Sequence, residues 1–328
     1  WYRVSLHEWT AGLLPGSLWA LYDLTGEALY RERALLWQAP LEARASYART
    51  HDGGLVFGPS FARAFACTAD PRHAAVAEQA ARALSSRYRP AVGALEARDR
   101  PPGPVRVQLD TMAQLPLLVW ATRVRHLDEA GMRAHAHGAF TAQWLVDAAG
   151  QAHAYIDVAD DGAPIATPAR PEQASARAHA LALLGFATLA ADEGGTRYQS
   201  VGRALAERLL AASPPHGVLP YRFDDPSSPP DSSASAALAA ALADWSLTED
   251  EPHRARYRDA AEAIVAVLGS PEYLATEAAS DAVLLHGTHD VNEASFDTGT
   301  AWGDYFFLDA LTKLSGRAGR PCSGDDLR

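Results

Sequence analysis

Lysine is almost absent from this 328-residue chain. Lys313 is the only one, and the other basic side chains are arginines. The chain is acidic, with a formal net charge of −11, and carries no basic cluster. Nucleic-acid partners are therefore not expected, because phosphates demand concentrated positive charge. Cysteine is nearly as scarce. Cys67 and Cys322 are the only two, and although they could pair, their spacing matches neither a disulfide framework nor a metal site. A reducing, cytoplasmic setting is the default expectation. No apolar run is long enough to span a bilayer, so no membrane partner is expected. The chain opens at Trp1 rather than Met, which leaves open a removed upstream segment.

What is plentiful is alanine and helical spacing. Nearly half of the residues are apolar (48%), enough for a sizeable core. The segments 24–30, 68–73, 127–131, 191–198 and 247–252 share one grammar. An apolar helix ends in a short polar turn, and a second helix starts on acidic residues or Pro, which suit a helix N-terminus. That second helix carries alanines at helical spacing, as at Ala74, Ala77, Ala80 and Ala81. The unit is a helical hairpin of roughly 45–65 residues, repeated about five or six times. Strand signals are confined to Val105 to Leu109 and Gly150 to Val158.

Repeated hairpins either form an open solenoid with polar capping ends or close into a ring. Here both ends are apolar. Trp9, Leu13, Leu14, Trp19 and Leu21 open the chain, and Tyr305 to Leu308 with Leu311 close it. The expected fold is therefore all-α: a six-hairpin toroid, or (α/α)6 barrel, formed by a single domain over residues 1–328. The polar, Gly-rich tail from 316 to 328 is expected to fray.

In a toroid the loops leading into the inner helices converge on one mouth. These loops hold Trp9, His51, Asp52, Asp110, Tyr221, Ser233 and Trp302. Carboxylates, His and aromatic faces at a cavity mouth suit a sugar or another small molecule. Asp110 has two readings. It stands where an extended run turns into the apolar helix after Leu115, so it is either an N-cap accepting from free amides or a pocket carboxylate. Asp231, Ser232 and Ser233 carry the same ambiguity. His135 and His137 fall two apart on a helix and point to different faces. With no matched third ligand they make no metal site, although His137 is a candidate to approach the pocket. Arg177 and His179, on an alanine-rich helix, are further candidates, since a buried Arg needs a partner.

Four segments together resemble one family. The run Thr50-His51-Asp52-Gly53-Gly54-Leu55-Val56-Phe57 is similar to an "HD-x-GF" segment. Leu109 to Leu118 resembles "IDxMMNLPLL", Asp231 to Ala236 resembles "DSSASAI", and Gly303 to Leu311 resembles "GDYFFLEAL". These are motifs of the unsaturated glucuronyl hydrolases, glycoside hydrolase family 88, and their order agrees from about Trp9 to Leu314. The resemblance implies an (α/α)6 barrel. It also implies an enzyme that needs no cofactor and removes a 4,5-unsaturated uronic acid from the non-reducing end of an oligosaccharide. Such enzymes hydrate the vinyl ether: an aspartate protonates the double bond, water adds at C5, and the hemiketal opens to release the aglycone.

The resemblance places Asp110 on the first catalytic aspartate. The second, from an "RxDGSxxH" segment, falls on Ala149, which cannot move a proton. Asp147, two residues earlier, and His153, near the segment's His, are the candidates to replace it. The "WARGQAW" helix reads Ser175 to Leu181, keeping Arg177 and placing His179 where the Gln stands. Phe57 and Trp9 complete the expected pocket lining. Three readings follow: a hydrolase of this family; a barrel repurposed for cyclisation, dehydration or isomerisation in specialised metabolism; and a non-catalytic binding protein. The sequence does not indicate an oligomeric state.

Overall fold

The computed structural model describes residues 5–99, 103–159, 161–165, 173–192, 195–215, 217–223, 225, 227–276, 280–291 and 294–318. Six inner helical segments run through them. They are α1 (Leu13–Thr25); α3 (Gly53–Phe57), continued through a π-turn into α4 (Arg63–Thr68); α6 (Leu115–Arg125), entered from a 3-10 turn over Leu109–Gln114; α8 (Ala176–Ala190); α10 (Ser232–Ser246); and α12 (Ala301–Leu314). The outer helices among the described residues are α2 (Ala28–Gln38), α5 (Pro71–Ser85), α7 (Asp128–Trp144), α9 (Gln199–Ala212) and α11 (His253–Leu268).

Composition sorts the two layers. In α10 every residue but Asp244 is buried, whereas α11 buries only Tyr257, Ala261 and Leu268. A helix apolar all round belongs inside, and a striped one belongs on the rim. The turns expected from the sequence fall between paired helices. Gly26 ends α1 in the left-handed region, and Asp70 caps α5 through the Arg72 amide. In the segment 191–198, residues 193 and 194 lie outside the described residues.

The ring closes. α8 packs on α10, α10 on α12, and α12 on α1, while α1 meets the π-turn at 58–62 and α8 meets the 3-10 turn before α6. Closure needs a small residue at Gly16, where a Cβ would lie 2.7 Å from the Cβ of Pro59 and 2.9 Å from the Tyr305 ring. The expected (α/α)6 barrel is thus the observed one, and its apolar first and last helices cover each other. The Ala318 amide donates to the Thr312 carbonyl, and the Arg317 guanidinium donates to the Leu24 carbonyl on α1. The remainder of the expected frayed tail, 319–328, lies outside the described residues.

Both strand signals are met. β3 (Val105–Gln108) pairs antiparallel with β4 (Tyr155–Val158), Gln108 opposite Tyr155. Arg106 locks the pair through Asp157 at 2.7 Å and lies 3.6 Å over the Tyr155 ring. A second hairpin, β1 (Tyr88–Arg89) with β2 (Ala94–Leu95), has too few residues to show a period in the sequence. Cys67 is disulfide-bonded. Among the described residues no helix is long and apolar enough to cross a membrane.

Candidate active site

The N-terminal end of α8, the turns before α3 and α6, and the irregular segments that hold Trp9, Arg98, Tyr221 and His289 surround a cavity of about 350 Å3. Its wall carries the carboxylates of Asp52, Asp110 and Asp290, the guanidinium groups of Arg98, Arg177 and Arg222, and the rings of Trp9, Tyr221 and His289. Gln108, Gln114 and Gln173 add amides.

Asp110 is not a helix cap. It sits in the first turn of the 3-10 segment, whose N-cap residue is Gln108, and no side chain caps that end. The strand pair fixes its position, because the Leu109 amide donates to the Ala154 carbonyl at 2.9 Å. Its side chain is half exposed to the cavity, while Oδ1 is buried without a hydrogen-bond partner. Behind it lies His51, 1% exposed. The His51 Nε2 is 4.0 Å from Asp110 Oδ1 and 3.5 Å from Asp52 Oδ1, and Nδ1 meets Thr111 Oγ1 at 2.5 Å. Gln114 braces the wall by accepting from the Leu55 amide at 2.8 Å. Gly54 permits this contact, since a Cβ there would fall 2.3 Å from the Gln114 Cα.

The opposite wall is aromatic and cationic. Arg177, in the first turn of α8, donates to the Thr288 carbonyl at 3.1 Å and lies 4.9 Å over the Trp302 ring. Trp302 also packs on Trp9 at 5.1 Å and His289 at 5.4 Å. Its indole N–H donates to Ser233 Oγ at 2.8 Å, and that hydroxyl donates to Asp231 Oδ1 at 2.5 Å. Asp231 also accepts from the amides of Ser233, Ala234 and Thr288. Burial pushes its carboxyl upward, against the pull of Arg177. Burial likewise raises the Tyr221 phenol.

Of the residues singled out in the sequence, Trp9, Asp52, Asp110, Arg177 and Tyr221 line this cavity. The others do not. Trp302 borders an adjoining cavity of about 550 Å3 that shares Trp9 and His289 with the first. Ser233 is buried in the network beneath it, and His51 is buried behind Asp110. Phe57 is buried in the core against Phe61, 5.8 Å away. His137 is wholly buried, accepts from the Leu95 amide at 3.1 Å, and is held down at about 3 by burial and by His51. His179 is also buried. Its Nε2 accepts from the Ala152 amide at 3.0 Å, and its Nδ1 faces the Ser175 carbonyl at 2.9 Å.

The expected second acid is displaced. Asp147 is exposed, with Oδ1 accepting from the amides of Ala149 and Gln151, both at 2.9 Å. This is a local Asx-type turn, with the carboxylate turned onto its own loop rather than into the cavity. Ala149 is exposed as well. His153 is half-buried and outside the lining, its backbone bridged to Gln173. Arg98, Gln173, His289 and Asp290 are the lining residues that the sequence did not announce. They lie in irregular segments, where no periodicity marks which side chains turn inward.

A second cavity, of about 230 Å3, lies at the C-terminal ends of α8, α10 and α12. Its polar groups are paired. Arg63 holds Asp23, and Lys313 Nζ lies 2.7 Å from both Asp244 and Asp309. Burial alone would lower the Lys313 ammonium, but the two carboxylates outweigh it and raise it. Among the described residues no group of three or more His, Cys, Asp or Glu could hold a metal ion.

No family model matches the chain. It is similar to the unsaturated glucuronyl hydrolase of Bacillus sp. strain GL1, at 29% identity over 324 residues, covering 94% of this chain and 86% of that protein. Among solved structures, an unsaturated glucuronyl hydrolase specific for heparin superposes with a TM-score of 0.89 at 25% identity, covering 95% of this chain and 87% of the other. A variant of an unsaturated glucuronyl hydrolase with dGlcA-Glc-Rha-Glc superposes with a TM-score of 0.88 at 28% identity, covering 96% and 88%. In sequence and in fold the chain is similar to the unsaturated glucuronyl hydrolases.

Proposed function

We propose that the protein is a glycoside hydrolase that removes a 4,5-unsaturated uronyl residue from a small saccharide, with Asp110 as the catalytic carboxylate. The observation that carries this reading is the state of Asp110. Its carboxylate stands on the cavity wall, is not used by any backbone amide, and faces a space with three arginines. A uronate brings one negative charge and a flat enol-ether ring. Arg98, Arg177 and Arg222 supply charge for its carboxylate, and Trp9 and Tyr221 supply faces for the ring.

The chemistry then needs one well-placed proton. Asp110 gives its proton to C4 of the vinyl ether, and positive charge develops over C5 and the ring oxygen. Water adds at C5, and its released proton returns to the Asp110 carboxylate. The hemiketal so formed opens and expels the saccharide. Asp147 takes no part, because its carboxylate is turned onto its own loop. The similarity over nearly the whole chain to proteins named as unsaturated glucuronyl hydrolases favours this reading over a repurposed or non-catalytic barrel.

The enol ether absorbs in the ultraviolet, so incubation with a panel of unsaturated disaccharides is a direct test. Absorbance should fall with the wild-type protein and stay constant with Asp110→Asn. Unchanged absorbance across the panel with the wild type would refute the proposal.

A further inference from the structure

One pair of rings stands between the two cavities that share Trp9. Trp9 lines both, and Trp302, from the wall of the second, packs on it at 5.1 Å and a tilt of 34°. A saccharide that reaches from one cavity into the other must pass these rings, so their alignment governs what it meets. Trp9 lies in residues 5–12, a run of turns without helix or strand. Such a run does not hold a ring still by itself. The supports lie behind it. Arg44, in the 3-10 turn over Ala39–Arg44, is 3% exposed. The carboxylates of Asp52 and Glu8 balance its charge, but its Nη1 is spent on the main chain, donating to the Leu6 and Glu8 carbonyls, both at 2.7 Å. These carbonyls bracket His7, whose ring packs on Tyr47 at 4.4 Å, and Arg44 lies over that same Tyr47 ring. On the other side of Trp9, Gly12 lets the chain meet α3, since a Cβ there would fall 2.2 Å from the Val56 carbonyl oxygen. Trp302 is held by a different device, the bond from its indole N–H to the Ser233 hydroxyl. That hydroxyl leans on Asp231, which also accepts from the Thr288 amide, next to His289.

We infer that Arg44 and Ser233 are positioning residues: from outside both cavities they align Trp9 with Trp302 as the aromatic passage that a saccharide of two or more units crosses. Burying a guanidinium is costly, and a neutral donor could satisfy one carbonyl. One nitrogen of Arg44 holds two, and the second belongs to Glu8, the residue just before Trp9. The clamp thus fixes the direction of the chain at Trp9 as well as its place. Ser233 does the same for Trp302, because an indole has a single N–H and it points at that hydroxyl. The effect on turnover rests on the hydrolytic reading above; the alignment of the rings does not.

Indole N–H resonances of the ligand-free protein test the alignment without any need for activity. The rings shield each other, so Arg44→Met and Ser233→Ala should each shift the resonances of both Trp9 and Trp302. Trp245, buried in the core, should stay in place as the internal reference. A Trp9 resonance unmoved in either variant overturns the inference, and so does an equal shift of Trp245, which would mark a general loosening. Kinetics on an unsaturated disaccharide form the second arm. Each variant should raise KM about tenfold and leave kcat within about threefold. Trp302→Phe keeps a ring but removes the N–H, so adding Ser233→Ala to it should raise KM no further. A wild-type KM in both single variants, or a full additional rise in the double variant, overturns the inference as well. Should the wild type consume no unsaturated uronide, the hydrolytic reading falls, and the resonances still decide the alignment. Should Arg44→Met fail to fold, Arg44→Lys, which keeps the charge without the planar fork, takes its place under the same criteria.

Discussion

The two ends of the barrel use the same residue types in opposite ways. At the C-terminal ends of the inner helices, Asp23, Asp244 and Asp309 are each held by a cation, Arg63 or Lys313. At the N-terminal ends, Asp110 faces a cavity with one oxygen buried and without a partner. A buried charge costs least when paired, so the first arrangement fixes a ring. The second keeps a carboxylate available to a ligand and accepts some loss of stability for it. Lys313, the lone lysine, belongs to the paired end.

Four experiments would break or sharpen that contrast. The largest effect is expected at the open end. Asp110→Asn should reduce kcat by about a thousandfold with an equal or higher thermal melt, whereas Asp147→Asn should leave kcat within about twofold. Equal losses in both variants would mean that the cavity does not define the site. At the paired end, Lys313→Met strands two carboxylates, and chemical denaturation should report a loss of about 3 kcal/mol with kcat retained in the folded fraction. A stable variant would show that those ion pairs do not hold the ring.

The third experiment concerns pH. Burial holds His137 down at about 3 from 6.5. The unfolded chain therefore takes up a proton near 6.5 that the folded chain refuses. The contribution of neutral His137 is present above that pH and is lost as pH falls from about 6.5 toward 3. Between pH 6.5 and 5 the wild type should lose about 2 kcal/mol from this group, measured by denaturation at both pH values. His137→Gln should lose less over the same interval, and an equal loss would remove His137 as the cause. The smallest effect is expected for Arg177→Lys. It keeps the charge but loses the planar stack on Trp302, so KM should rise about tenfold with kcat nearly constant. A fall in kcat alone would place Arg177 in the chemistry rather than in binding.

The sequence announced the scaffold better than the site, and the residues show why. Gly26, Asp70 and the alanines of α5 act over a few positions, so their signals survive without the third dimension. Ring closure followed from apolar residues at both ends of the chain. Asp110 could not be decided, because a capping carboxylate and a catalytic one share the same local setting. What separates them is whether a backbone amide reaches the oxygen, a fact of geometry. His137 and His179 failed for a related reason. Helical spacing puts a ring on the inner side, but the inner side of a helix can meet a cavity or a neighbouring amide. Arg98 and His289 lie in irregular segments, where neighbours in sequence say nothing about direction. Asp147 was placed by analogy with a motif, and its own loop captured it.

The closure at Gly16 also bears on how the molecule comes into being. The cavity wall draws on side chains from Trp9 to Val291, and the helix that closes the ring against α1 is the last described. Contacts between such distant stretches form late and slowly. A nascent polypeptide halted before α12 emerges would hold every side chain of the cavity wall and yet lack the helix that packs on both α10 and α1.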